Sequence, residues 1–253
     1  MNDDQFKPAG KLRYGWTTGA CATAATKAAL QALLQGHFDN DVTISLPGGK
    51  KPTFTLSQHS LERDQASAGI IKDAGDDPDV THGAEIIVTV CPGKAGSGVT
   101  FEAGQGVGTV TLPGLPVPAG EPAINPAPRK MITEVTEAIA SNFNIPADFN
   151  ITIAIPGGEK LAQKTMNGRL GIIGGLSILG TTGIVRPYSC SAWIHSIHSG
   201  IDVARATGLT HIAATTGSTS EAAIKALYNL TDSALIDMGD FAGGLLKYLR
   251  HHP

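Results

Sequence analysis

The sequence contains no long apolar run, no run of basic residues and only three cysteines among 253 residues. Without an apolar stretch of about 20 residues, the chain has no candidate membrane span. A net charge of −3 and the absence of a basic patch argue against a nucleic-acid partner. Cys21, Cys91 and Cys190 are too widely separated for a disulfide framework or a zinc module. With no apolar signal region in residues 1–10, we expect a cytoplasmic location.

What the sequence does contain is an apolar, glycine-rich globular composition. Hydrophobic residues make up 42% and charged residues 16%, which is typical of a chain that folds around a core. The 31 glycines cluster at turns between apolar runs. Glycine at such positions indicates unusual backbone angles or close backbone approach. A site built from backbone loops is therefore the first functional expectation.

Apolar spacing and turn residues predict two domains of different fold class. We expect an α+β domain over residues 1–147, with a mixed or antiparallel sheet and helices. A smaller α/β domain with a parallel strand–helix–strand unit should follow over residues 148–253. The predicted helices cover residues 20–35, 126–142, 190–200 and 218–230. The predicted strands cover residues 42–46, 53–56, 86–90, 99–102, 107–112, 151–155, 211–214 and 234–237.

The first helix is preceded by Thr17, Thr18 and Gly19. Unbonded N–H groups and the helix dipole at such a start favour an anion. A plain helix capped by Thr17 or Thr18 explains the same residues without a ligand. Both interpretations stay open at this point.

The second helix start carries charges of the unfavourable sign. Asn125 is a plausible cap, and Arg129 and Lys130 lie in or near the first turn. Positive charges there oppose the helix dipole at about 0.3–1 kcal/mol each. An anionic ligand that meets Arg129 would remove the conflict, and so would a carboxylate such as Glu121.

A third helix start follows the strand predicted at residues 211–214. Thr215, Thr216 and Gly217 form the turn, and Ser218 and Glu221 have the spacing of a capping box. Ligands of open α/β sheets bind at such turns, next to the carboxyl ends of strands. Because the capping box would account for Ser218 and Glu221, the turn residues before them are the better candidates for ligand contact.

Three other patterns give no site. Residues 104–108 (GQGVG) look like a nucleotide fingerprint, but a strand pattern follows where a helix is required. The acidic turn around Gly75 lacks the spacing of a calcium loop. His195 and His198 share a helix face but have no third ligand nearby in the sequence, so no protein-bound metal is predicted.

Seven segments in order along the chain resemble the CbiD family, the cobalt-precorrin-5B C1-methyltransferases of anaerobic cobalamin biosynthesis. They are residues 12–21 (LRYGWTTGAC), 72–83 (KDAGDDPDVTHG), 114–115 (GL), 120–129 (GEPAINPAPR), 156–159 (PGGE), 170–183 (LGIIGGLSILGTTG) and 238–241 (MGDF). The family pattern continues beyond the position of Pro253. We therefore expect either a truncated chain, with an incomplete second domain, or a naturally short form, and activity of this chain alone stays to be tested.

The resemblance implies S-adenosylmethionine as methyl donor and a cobalt-containing tetrapyrrole as acceptor. The product would be cobalt-precorrin-6A, a step towards vitamin B12. The acceptor carries acetate and propionate carboxylates, which suit anion-binding helix starts. The resemblance leaves open whether the enzyme is a homo-oligomer or makes transient contacts with other corrin pathway enzymes.

From the resemblance and the loops together we derive a site hypothesis. The donor is expected near Thr181, Thr182, Gly183, Thr215, Thr216 and Gly217. Acceptor carboxylates are expected near Thr17, Thr18, Gly19, Asn125 and Arg129. Glu159 or Asp240 would steer the sulfonium or act as a base. Methyl transfer from a sulfonium mainly needs alignment and exclusion of water, which agrees with the lack of a catalytic dyad in the sequence.

Two alternatives from other functional classes are carried forward. The turn at residues 215–221 could bind the phosphates of a nucleotide in a nucleotide-dependent enzyme. The chain could also be a non-catalytic carrier or partner that delivers corrinoid intermediates in the same pathway.

Overall fold

The computed structural model describes residues 10–252. They form two compact units, and each unit is built from three separate segments of the chain. The first unit runs to Gly106 and also contains Ile124–Gly158 and Ile178–Tyr188. The second contains Val107–Ala123, Glu159–Ser177 and the chain from Ser189 onward. The sequence analysis instead divided the chain once, between residues 147 and 148. In the described residues, no helix combines the length and the apolar character that crossing a bilayer requires.

A five-stranded mixed sheet forms the centre of the first unit. Its strands, in spatial order, are β4 (Gln58–Leu61), β5 (Ala66–Ile71), β6 (Glu85–Pro92), β9 (Phe149–Ala154) and β7 (Val99–Ala103). All neighbours are antiparallel except β7 and β9, which are parallel. Buried residues alternate along β6 and β9, as expected for strands with one face on a core.

Two helices cover the buried side of this sheet. Helix α1 (Thr18–Gln35) packs against β5, β6 and helix α2 (Pro126–Asn142). Its first two turns are buried and consist of small residues, which permits a close approach. A Cβ atom on Gly19 would lie 2.7 Å from Cγ of Pro128 in α2. Two short antiparallel pairs complete the unit: β1 (Gly15–Trp16) with β11 (Ile184–Val185), and β2 (Asp41–Thr43) with β3 (Thr53–Thr55).

The second unit contains two short sheets and most of the remaining helices. Strand β8 (Thr109–Val110) pairs antiparallel with β10 (Ile172–Ile173), and β12 (Ala213–Thr215) pairs parallel with β13 (Leu235–Asp237). Its helices are α4 (Cys190–Ala206), α5 (Ser218–Tyr228) and α6 (Ala242–His251); the short α3 (Gly158–Ala162) begins at its boundary with the first unit. Ile197, Ile201, Ile236 and Leu245 form a core where α4 and α6 meet β13.

The fold class expected from the sequence is confirmed. The mixed sheet, the long helices at residues 18–35 and 126–142, and the parallel strand–helix–strand unit are all present. The sequence analysis missed strands β1, β4, β5 and β11 and helices α3 and α6. β4 is exposed throughout, so no apolar alternation marks it. Residues 104–108 lead into β8, as expected, and not into a helix.

Gly15 tests how strongly the first unit depends on close backbone contact. A Cβ atom at this position would lie 2.0 Å from the backbone carbon of Ala74, whereas one at Gly48 would meet nothing within 4 Å. Because backbone atoms cannot rotate away, we expect Gly15→Ala to lower the free energy of unfolding by about 2 kcal/mol or more. Gly48→Ala is the matched control and should change it by less than about 0.5 kcal/mol.

Thermal and urea unfolding of the two variants, followed by circular dichroism, would measure the difference. Equal stability of Gly15→Ala and Gly48→Ala would contradict the packing argument.

Candidate functional site

The start of α1 is bonded to the protein itself. The hydroxyl of Thr17 accepts a hydrogen bond from the Ala20 amide at 3.1 Å, which caps the helix. The Gly19 amide donates to the carbonyl of Leu179, also at 3.1 Å. Thr18, only 3% exposed, bonds through its hydroxyl to the amide of Leu179 at 3.0 Å. This is the capped helix of the alternative interpretation, and the amides of Gly19 and Ala20 are not available to an anion.

The start of α2 keeps its positive side chain partly accessible. Asn125 is the N-cap residue but makes no capping bond with its side chain. The Arg129 guanidinium donates from Nε to the carbonyl of Ile124 at 2.8 Å and lies 5.2 Å from the ring centroid of Phe101. These contacts hold the guanidinium in one place at the helix start. The assignment of Asn125 and Arg129 to an acceptor carboxylate stays a prediction.

The Thr181-Thr182-Gly183 loop belongs to the first unit. Thr181 and Thr182 are exposed, whereas Gly183 is buried and accepts a hydrogen bond from the Thr17 amide at 3.1 Å. A Cβ atom on Gly183 would lie 2.5 Å from Cδ2 of Leu46. The glycine is therefore explained by packing, and the two threonines are the part of this loop that a ligand could reach.

The start of α5 differs from the start of α1, because its second and third amides lack partners such as those that Gly19 and Ala20 have. Gly217 is the N-cap residue and Ser218 begins the helix, so the expected capping box of Ser218 and Glu221 does not form. That expectation was wrong because Glu221 accepts two hydrogen bonds from Arg169, at 2.6 and 2.5 Å. Among residues 10–252, no group accepts a hydrogen bond from the amides of Ser218, Thr219 or Ser220.

A buried hydroxyl lies beside these amides. Thr215 is the last residue of β12 and is 4% exposed, and its Oγ1 has no hydrogen-bond partner. Leaving a buried hydroxyl unpaired costs roughly 1–3 kcal/mol. Two kinds of unsatisfied donor therefore meet at the carboxyl end of one strand, which is where ligands bind in α/β folds.

The same edge of the sheet carries a carboxylate. Thr215 and Asp237 are register partners at the ends of the parallel strands β12 and β13. Asp237 is half-buried, and its Oδ1 accepts from the Gly239 amide at 3.3 Å. Neighbouring Arg169 has a raised pKa, through its hydrogen bonds to Glu221 and, more weakly, through the charges of Asp232 and Asp237.

The two candidate catalytic carboxylates lie on the surface. Glu159 is exposed in the first turn of α3, and Asp240 is exposed after β13. Neither makes a hydrogen bond or ion pair with any other described residue. Their roles as base or as sulfonium partner stay predictions.

The sequence analysis missed a buried ion pair in the segment 72–83. Lys72 is 1% exposed, and its Nζ lies 2.7 Å from Oδ2 of Asp79. Burial alone would raise the pKa of Asp79, but the charge and hydrogen bond of Lys72 and two bonds from Thr81 lower it. Arg13 donates two hydrogen bonds to Asp73, which hold the pKa of that carboxyl at about 2. Lys72 directly follows an apolar strand, the one signal in the sequence that could have indicated its burial.

The α5 start is thus the place whose chemistry best fits an anionic group of a small ligand. Unbonded amides and the helix dipole would receive a carboxylate, and the Thr215 hydroxyl and Asp237 carboxylate offer a donor and an acceptor beside them. In the part of the chain that the structure covers, no group of three or more His, Cys, Asp or Glu residues is placed to hold a metal ion.

Comparison with known proteins gives a consistent result. The family model described as CbiD matches residues 5–187. A Brucella canis protein named cobalt-precorrin-5B C(1)-methyltransferase is 64% identical over 257 residues, covering 99% of this chain and 70% of that protein. A Brucella anthropi protein of the same name is 62% identical over 258 residues, covering 100% of this chain and 70% of the relative.

The fold has a solved counterpart as well. A crystal structure of the cobalamin biosynthesis protein CbiD from Archaeoglobus fulgidus superimposes with a TM-score of 0.54 at 30% identity. The match covers 94% of this chain and 74% of that one. The chain belongs to the CbiD family.

The Lys72–Asp79 pair should determine stability in acid. Asp79→Asn leaves the Lys72 charge buried without a counter-ion, so we expect a loss of about 3–5 kcal/mol in the free energy of unfolding near pH 7. Because the pKa of Asp79 is lowered on folding, its contribution is present above its ordinary pKa and disappears as the pH falls through the lowered value. The variant should therefore lose less stability than the wild type between pH 5 and pH 2.

Glu134→Gln is the control, since Glu134 forms an exposed pair with Lys130 at 3.8 Å. It should cost less than about 1 kcal/mol. Urea unfolding at several pH values would compare the variants, and equal losses in both would contradict the importance of the buried pair.

Proposed function

We propose that the chain is an S-adenosylmethionine-dependent methyltransferase that methylates C1 of cobalt-precorrin-5B. The observation that carries this proposal is the 64% identity over 99% of the chain to a relative named for that reaction. The CbiD family match over residues 5–187 agrees with it. We infer a cytoplasmic location from the wide spacing of the three cysteines, which suits a reducing compartment.

The donor is assigned to the start of α5. S-adenosylmethionine carries a carboxylate, and the unbonded amides of Ser218, Thr219 and Ser220 provide donors together with the helix dipole. The unpaired Oγ1 of Thr215 would gain a partner when a ligand binds. Of the two Thr-Thr-Gly loops in the donor hypothesis, this one has a buried hydroxyl without a hydrogen-bond partner. Thr181 and Thr182 stay candidates through their exposure alone.

The acceptor is assigned to the start of α2. Arg129 presents a positive charge held by Ile124 and Phe101, and corrinoid precursors carry several carboxylates. The start of α1, residues 17–19, then supports this region by packing, because the amides of Thr17 and Gly19 are already bonded.

The bound donor supplies an electrophilic methyl group on a positively charged sulfur. Transfer breaks the sulfur–methyl bond as the new carbon–carbon bond forms, and it releases S-adenosylhomocysteine. The residues of this chain would fix both ligands in line and exclude water, and such positioning supplies a large part of the rate. Asp240 directly follows the Asp237–Gly239 turn and could place a negative charge near the sulfonium.

Thr215→Val tests the donor assignment. The substitution removes a hydroxyl that has no partner without ligand, so it should leave the melting temperature of the free protein unchanged or slightly higher. The same change should weaken binding of S-adenosylhomocysteine by about 3–10-fold, the value of one hydrogen bond. Thr210→Val, an exposed threonine in the loop before β12, is the control and should not change the affinity.

Isothermal titration calorimetry with S-adenosylhomocysteine, ATP and NAD would measure these affinities. Tight binding of ATP or NAD without S-adenosylhomocysteine would favour the nucleotide-dependent alternative. Unchanged donor affinity in Thr215→Val would remove Thr215 from the site.

Arg129→Ala tests the acceptor assignment. Loss of a charge-assisted hydrogen bond should weaken cobalt-precorrin-5B binding by about 10-fold or more while leaving S-adenosylhomocysteine binding unchanged. Lys130→Ala is the control, because it removes a positive charge from the same helix start, where Lys130 forms an exposed pair with Glu134. Absorbance titration would follow the tetrapyrrole, and equal binding by wild type and Arg129→Ala would contradict the assignment.

Turnover distinguishes the enzyme from a carrier. Incubation of the chain with cobalt-precorrin-5B and donor labelled in the methyl group should yield a labelled corrinoid. Binding of the tetrapyrrole without any label transfer would favour the non-catalytic role.

A further inference from the structure

Asp237 lies where an acidic residue can accept hydrogen bonds from the ribose hydroxyls of an adenosine ligand. β12, α5 and β13 form a continuous strand–helix–strand unit with parallel strands. In the dinucleotide-binding units of this topology, an acidic side chain about 20 residues after the glycine-rich first turn accepts hydrogen bonds from the ribose hydroxyls. Asp237 comes 20 residues after Gly217, at the carboxyl end of the second strand.

The side chain has the capacity that this role requires. Oδ1 of Asp237 bonds to the Gly239 amide, whereas its Oδ2 has no hydrogen-bond partner among the described residues. The nearby Arg169 guanidinium is bound at both ends by Glu221 and therefore does not occupy the carboxylate of Asp237. The Gly239 amide thus holds Oδ1 of Asp237 in place, and Oδ2 can accept hydrogen bonds from the two ribose hydroxyls.

The register brings this carboxylate to the donor groups already described. Thr215 and Asp237 are direct partners across the two strands, and strand side chains at paired positions point to the same face. The even-numbered residues Ala214, Ile236 and Met238 pack on the core with α4 and α6, so the odd-numbered Thr215 and Asp237 face the opposite side. The unpaired Thr215 hydroxyl and the Asp237 carboxylate therefore share one face at the strand ends.

We propose that Asp237 binds the ribose diol of the donor and selects adenosyl ligands that retain the 2′-hydroxyl. This assignment rests on the proposed donor site at the start of α5. In it, the helix amides receive the carboxylate of the amino acid portion, and the next strand receives the sugar.

Sugar discrimination by the wild-type chain is the first measurement. Calorimetric titration with S-adenosylhomocysteine and with its 2′-deoxy analogue should show about 10-fold or more tighter binding of the ribose form, the effect of one hydrogen bond to a charged group. Equal affinity for the two ligands would overturn the proposal without any variant. Failure to bind S-adenosylhomocysteine at all would overturn both this proposal and the donor site on which it rests.

Asp237→Asn is the second measurement. The variant should bind the ribose form about as weakly as the wild type binds the 2′-deoxy form, so the preference should disappear. Asp232→Asn is the matched control: it removes the same charge just before β13, where Asp232 pairs with Lys225. The control should keep the full sugar preference.

The outcomes separate the two proposals. If wild type prefers the ribose form and Asp237→Asn keeps that preference, Asp237 is not the ribose ligand, although the donor site stands. If Asp237→Asn and Asp232→Asn lose affinity equally for both sugars, the effect is one of net charge, which also overturns the assignment. The melting temperature of each variant without ligand shows whether it is folded.

Discussion

Close backbone contact at glycine positions is the constraint on which the first unit depends. Gly19 admits Pro128 of α2 to the first turn of α1, and Gly180, at a φ of 122°, leaves room for the Thr17 side chain. At these distances the Gly19 amide reaches the Leu179 carbonyl, and the Thr17 amide reaches the Gly183 carbonyl. The buried start of α1, its cap and the segment 178–183 therefore form one interlocked structure.

The neighbouring segments explain why the same Thr-Thr-Gly motif is hydrogen-bonded differently at the two helix starts. Thr-Thr-Gly precedes both α1 and α5. At α1 the neighbouring segment supplies carbonyl partners and closes the helix start. At α5 the N-cap residue is Gly217, which has no side chain to accept from the first amides, so they stay unbonded. The chemistry of each loop is set by its neighbours in space.

The sequence predicts helices and strands well where they depend on residues near one another in the chain. Alanine content, the Thr17 cap and Gly36 placed α1 correctly, and alternation placed β6 and β9. The closed start of α1 depends on Leu179, which is 160 residues away from Gly19. The burial of Lys72 was missed because a lysine after a strand is usually solvated. The site residues named from the family motifs stay predictions, with the α5 start the best supported by geometry.

The interleaving of the two units has a consequence for biosynthesis. The polypeptide passes between them five times, and the first unit is complete only when residues 178–188 are available. Those residues supply β11, the partner of β1, and the carbonyl that meets α1. During translation the first unit therefore cannot complete these contacts until Tyr188 has emerged from the ribosome. Until then, the start of α1 lacks the carbonyls of Leu179 and Gly183 that it bonds in the complete unit.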